Sequence, residues 1–213
     1  MNLLVLADLA LQFGRVHRVT FHPDGLRPET DTDHTVMLAI LACELGQVYN
    51  ATVPASHRMH RLNLGLLAQL AIVHDLIEAE AGDTNTFAGL TADDQREKEA
   101  REARALASLR ARLGDGWTVQ AIDAYEWQDD PEARFVRYLD KITPKLTQAL
   151  NGSMQSRKAG RDVAWLHARH RKQGAELAER YPEWAPVLGP IFDAACEAAE
   201  RALAEATGAD DVR

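Results

Sequence analysis

Four residues stand out because their side chains are costly where they fall: His34, the adjacent pair His74-Asp75, and Asp140. Each lies in a segment that reads as a strongly apolar helix. A buried carboxylate needs a counter-charge, a hydrogen-bond partner or a metal. Two imidazoles and two carboxylates brought together by helix packing would make a mixed nitrogen and oxygen site for one divalent cation. In the segment His74-Asp75-Leu-Ile-Glu78-Ala-Glu-Ala-Gly82-Asp83, regular helical geometry puts His74, Glu78 and Asp75 on one face. A solvated stripe with His74 and Glu78 as an i,i+4 pair is the plainer explanation, but the flanking residues are very apolar for that. His34, with Met37, Leu38 and Leu41 on its side, reads by itself as a satisfied core histidine more readily than as a ligand. Asp140 has Arg137 and Lys141 as ordinary partners, with Lys141 expected to point elsewhere. Pro144 cannot donate to the carbonyl of residue 140, so a kink is expected beside this aspartate.

The elements that must position these residues are helical. An amphipathic first helix is expected from the spacing of Leu4, Ala7 and Leu11; the missing basic n-region and Asp8 argue against a signal sequence. Residues 15–33 read as loop, marked by Pro23, Asp24-Gly25 and Pro28. Thr32 or Asp33 can cap a second helix to about Gly46, with Val36, Ile40, Cys43, Met37 and Leu41 inward. After a connecting loop at 47–61, a third helix from about Leu62 to Ala81 is apolar nearly all round and ends at Gly82. A charged surface helix at about 91–113 follows, then one at Val119–Trp127 and one opened by Asp130-Pro131 and running to about Leu150. Two more helices, about 161–180 and 187–206, complete the chain, and the tail after Thr207 is expected to fray. No strand-like alternation or repeat is present. The expectation is an all-α fold and one domain over 1–213, with a core of about 10–150 and the C-terminal helices packed on it.

Bulk composition narrows the function classes. The 213 residues are 46% hydrophobic and 26% charged, with a formal net charge of −8. That balance argues against stable nucleic-acid binding or an anionic membrane surface. No segment has the run of about 18 apolar residues that a membrane span needs. Cys43 and Cys196 are too few for a disulfide framework and read as buried free thiols, which fits a cytoplasmic location.

The order His34, then His74-Asp75 with Glu78 and Gly82-Asp83, then Asp140 resembles the HD-domain metal-dependent phosphohydrolase superfamily. The segments Pro28 to His34, Ala71 to Asp83 and Glu132 to Lys141 resemble its 5′-deoxynucleotidase subgroup. The likeness covers about residues 10–150 and leaves the last 60 without an assigned functional residue. It implies that His34, His74, Asp75 and Asp140 ligate one divalent metal, with Mn²⁺, Co²⁺, Zn²⁺ and Fe²⁺ all compatible. Such a cation polarises a phosphoryl oxygen and lowers the pKa of water for attack on phosphorus. The resemblance further implies that Glu78 orients or deprotonates the attacking water. Asp83 either shares that role, protonates the leaving oxygen, or merely caps the following helix. Arg18, with Arg15 as runner-up, matches the subgroup's phosphate-contacting arginine. The stretch His22-Pro-Asp-Gly25 makes the loop before His34 longer than in the subgroup.

The resulting expectation is a 5′-nucleotidase that releases phosphate from deoxyribonucleoside monophosphates. It would act on a small phosphorylated substrate as a homodimer using the apolar faces of the C-terminal helices. Two rivals are a deoxynucleoside triphosphate triphosphohydrolase and a non-catalytic helical module with a structural metal. The first would recruit Arg157-Lys158 with Arg161, or the cluster Arg169-His170-Arg171-Lys172, for the outer phosphates.

Overall fold

The computed structural model describes residues 2–54, 56–57, 61–87 and 89–210. Its elements run α1 (Leu3–Phe13), β1 (His17–Phe21), β2 (Pro28–Thr30), α2 (Asp31–Thr52), α3 (Leu64–Val73), α4 (Glu78–Ala81) and α5 (Ala92–Leu113). They continue as α6 (Trp117–Trp127), α7 (Pro131–Asp140), α8 (Thr143–Leu150), α9 (Met154–Lys158), α10 (Val163–Arg180) and α11 (Ala185–Asp210). The helical expectation holds, with one addition. Part of the presumed loop at 15–33 is a two-stranded hairpin of β1 and β2. Its tip turns at Gly25, which has φ +67° and donates to the His22 carbonyl, while Asp24 accepts from Leu26. The strands are too short to show alternation in the sequence.

The chain divides into two compact units. The first comprises residues 1–19 and 30–134, the second 20–29 and 135–213. In the first unit α2 packs on α3, α3 on α6, and α1 and α4 on α5. One apolar cluster joins Leu9, Val73, Ile77, Leu109, Ala121 and Ile122. In the second unit α11 receives α8, α9 and α10. Phe135 and Trp184 meet there edge to face at 5.0 Å, beside the fully buried Leu139, Leu188 and Leu203.

Several boundaries differ from the sequence expectation for identifiable reasons. Helix α2 starts earlier, because Thr30 rather than Thr32 or Asp33 is the cap. The Thr30 side chain accepts from the Asp33 amide and the Asp33 carboxylate accepts from the Thr30 amide. It also runs six residues past Gly46, since that glycine is a packing site and not a terminus. A Cβ there would lie 2.5 Å from Leu67 Cδ1. The buried face of α2 is His34, Thr35, Leu38, Ala42 and Gly46, whereas Val36 and Ile40 are more than half exposed. Small residues let α3 approach on that side, and this outweighs the larger apolar side chains next to it. The long third helix is in fact two, and so is the helix expected at 131–150. Short i to i+3 bonds separate their halves at 73–80 and 138–142. Helix α9 was not expected, and α11 continues to Asp210 in place of a frayed tail. Cys196 is buried and Cys43 half-buried, both free.

Among the described residues no helix is long and apolar enough to cross a membrane. None of the large exposed apolar side chains lies on α10 or α11, so the partner face expected there is not offered by those helices. The reassigned face of α2 gives a direct test. Leu38→Ala should cost about 2–5 kcal/mol, whereas Ile40→Ala should stay within about 0.5 kcal/mol, both measured by chemical denaturation.

Candidate metal centre

The first unit builds its polar site from helix ends. Helix α3 is capped by Asn63, whose side chain accepts from the Leu66 amide, and its apolar run ends at Val73. The next four residues are turn, with the Leu76 amide bonded to Val73 and the Glu78 amide to Asp75. Val73 and Ile77 enter the apolar cluster, so the chain holds its core contacts while His74 and Asp75 leave the regular helix. The single-face placement expected for His74, Asp75 and Glu78 is thereby corrected: they sit on an interrupted helix. No glycine or proline announces that interruption.

The imidazoles of His34 and His74 are almost wholly buried, with ring centroids 5.1 Å apart. Tyr125 lies edge-on to His74 at 5.9 Å. His74 Nδ1 is 2.8 Å from the carbonyl of Ala71, one of the last four carbonyls of α3, which a helix end leaves without intrahelical partners. Nδ1 therefore carries the proton, and Nε2 presents its lone pair. That nitrogen faces Asp75 Oδ2 at 2.9 Å. An imidazole nitrogen and a carboxylate oxygen facing each other need a positive charge between them, and ligating histidines are oriented by this kind of carbonyl contact. His34, His74 and Asp75 each offer a ligand atom, and these atoms lie within 4.8 Å of one another. The donor set fits a metal ion.

The same place is crowded with acids. Arg18 donates through one guanidinium nitrogen to Asp31 Oδ1 at 3.0 Å and to Asp75 Oδ2 at 2.8 Å. Asp31 is fully buried, and burial pushes its carboxyl up to about 6 despite Arg18. Glu78 is buried as well, and desolvation, then the charge of Asp75, pushes it up to about 11. Asp83 is half-buried and is also raised, by desolvation first. The capping role considered for Asp83 at the next helix belongs to Thr91, which caps α5. Arg15 is exposed.

Asp140 belongs to the second unit, at the end of α7. There Lys141 Nζ donates to its Oδ2 at 2.7 Å, contrary to the expectation that Lys141 points away, because the chain leaves helical geometry at 141–142. Asp31 is the residue that sequence reasoning missed. Its place three residues before His34, on the same side of a helix, was the available signal. It was hidden by its resemblance to an ordinary acid of a first turn.

The pKa directions carry a sign that can be measured. Asp31 holds its proton in the folded protein to about pH 6, against 3.8 ordinarily. Its contribution to stability is thus present at low pH and lost as pH rises through about 6. Glu78 continues the same trend above neutrality. A bound cation reverses this penalty, because it favours the ionised ligands and neighbours. The rise in Tm on adding Mn²⁺ to chelator-stripped protein should be larger at pH 8 than at pH 5, and His74→Asn should remove most of it.

Comparison with known proteins fits this geometry. The HD domain family matches residues 12–184. The human 5′-deoxynucleotidase HDDC2 is 27% identical over 146 residues, covering 66% of this chain and 63% of that protein. Its Xenopus laevis counterpart is 27% identical over 164 residues, covering 75% and 74%. The chain thus spans somewhat less than two thirds of the human relative's length. The crystal structure of a protein described as a predicted metal-dependent phosphohydrolase, from Magnetospirillum magnetotacticum MS-1, superposes with a TM-score of 0.66 at 22% identity. The alignment covers 94% of this chain and 93% of that one. At that identity the likeness speaks for the fold. With a family match over most of its length and the paired His-Asp set at its polar centre, the chain belongs to the HD-domain family.

Proposed function

We propose that the protein is a metal-dependent phosphohydrolase, a 5′-nucleotidase that releases phosphate from deoxyribonucleoside monophosphates. The observation that carries this reading is the buried pair His34 and His74, facing Asp75 beside a guanidinium and a deeply buried glutamate. Membership of the HD-domain family and the activity named for the HDDC2 relatives support it. His34, His74 and Asp75 hold the metal, with Asp140 as the fourth ligand supplied by the family's motif order. When bound, a divalent cation supplies Lewis-acid polarisation of a phosphoryl oxygen and a lower pKa for water.

The chain's own residues divide the remaining work. Arg18 turns its guanidinium to the phosphate oxygens, for which its planar fork is suited. It is preferred to Arg15, which lies exposed. Glu78, held where its Oε2 has no hydrogen-bond partner, orients the attacking water and takes its proton. Asp83, half-buried and biased toward its protonated form, delivers a proton to the leaving oxygen. A structural staple would leave the buried Glu78 without a task. A triphosphate reading lacks support from the C-terminal cations considered for it, because Lys158 lies over Phe21 at 3.8 Å and Arg161 and Arg169 lie over Trp165. A homodimer in the cytoplasm completes the proposal, and light scattering on the purified chain measures the first part.

The deciding assay supplies Mn²⁺ or Co²⁺ and follows orthophosphate and triphosphate release across deoxyribonucleoside mono- and triphosphates. Orthophosphate from monophosphates is expected; triphosphate release would move the assignment to the rival enzyme. Glu78→Gln should lower kcat by about 10²–10⁴-fold, the usual worth of a positioned acid or base. Arg18→Gln should raise KM by about 10–100-fold, the worth of a charged hydrogen bond. Arg15→Gln should leave KM within about twofold, as expected of an exposed side chain away from the chemistry.

A further inference from the structure

Asp31, Asp75 and Glu78 form a second convergence in the first unit. Each offers an oxygen within 4.8 Å of the others. Hard cations bind oxygen at about 2.0–2.6 Å, so ligands on opposite sides of one ion are about 4–5 Å apart. The spread of these three atoms therefore fits a single ion. Two of the three side chains are more than nine-tenths buried, Asp31 at 0% exposure and Glu78 at 7%. Asp31 Oδ2 and Glu78 Oε2 are each shielded from water and without a hydrogen-bond partner. Leaving two carboxyl oxygens in that state is costly unless something positive satisfies them. Arg18 does not do so, since its bonds go to Asp31 Oδ1 and Asp75 Oδ2.

We propose that Asp31, Asp75 and Glu78 form a second cation site, which shares Asp75 with the imidazole-lined one. The donors here are three carboxylates with no nitrogen or sulfur, a set suited to Mg²⁺ or Mn²⁺, while the imidazole pair favours a transition metal. Asp75 has two oxygens and can serve both ions, the arrangement that lets paired cations grip a phosphoryl group from two sides. A cation among these acids also takes over the charge that Arg18 now neutralises. The guanidinium is then released toward substrate. The inference rests on the reading of His34, His74 and Asp75 as the first site, and it makes Asp31 a ligand that the HD motif itself does not contain.

The test is a count of ions. Chelator-stripped full-length protein is dialysed to equilibrium against Mn²⁺, and bound metal and the electron paramagnetic resonance spectrum are recorded. Two Mn²⁺ per chain with the exchange-coupled spectrum of a bridged pair are expected. Asp31→Asn should bind one, with the spectrum of an isolated ion. Glu78→Gln should do the same, and it serves as the second variant if circular dichroism shows Asp31→Asn misfolded. One Mn²⁺ per chain in the unsubstituted protein, lost in His74→Asn, would overturn this inference and leave the first site standing. Two ions that survive both carboxyl substitutions would also overturn it. No bound Mn²⁺ at all would remove the first site as well.

Discussion

The charge imbalance around Arg18 is the constraint on which the first unit depends. One guanidinium faces Asp31 and Asp75 directly and lowers the carboxyls of Glu78 and Asp83 from a distance. Four acids and one base in a largely desolvated place are a poor arrangement for stability taken alone. The core of the unit, with Leu38, Leu67, Leu70 and Leu109 fully buried, holds these groups together against their mutual repulsion. Strain of this kind concentrates at functional sites, where a ligand relieves it.

Helix ends make that arrangement possible. The reciprocal bonds of Thr30 and Asp33 start α2 where Asp31 and His34 share a side. The amide of Asp31 also bonds the carbonyl of Val16, so the strand carrying Arg18 and the helix carrying the acid are fixed to each other. At the other end of the site, the close of α3 releases a carbonyl for His74 and lets Asp75 turn out of the helix. Polar groups that a continuous helix would have spent on itself are instead spent on orienting ligands.

Much of this was legible in the sequence, and the gaps have physical causes. Helix α5 was placed almost to the residue because Thr91 and Gly114 mark both its ends and its charges leave no doubt about exposure. The order of His34, His74-Asp75, Glu78 and Asp83 carried the family and the centre of the site. The inward face of α2 was misread because apolar size was taken as the guide, while close packing at Ala42 and Gly46 decides which side is buried. The breaks after Val73 and Asp140 were hidden for the opposite reason. Their residues favour helix, and tertiary packing overrides them. Asp31 escaped notice because burial is invisible in a single sequence, and an acid in a first turn is unremarkable.

The close approach at Gly46 has a mechanical consequence. Helix α2 carries His34 near its start and meets α3 at Gly46, twelve residues on, a distance of about 18 Å at the usual helical rise. The two helices act as a pair of tongs whose pivot is a missing side chain. A methyl group at the pivot presses on Leu67, which is itself fully buried, and prises the arms apart. The spacing of His34 and His74 at the far end is thus set partly by a residue that touches no ligand, and position 46 becomes a remote adjustment screw for the metal centre.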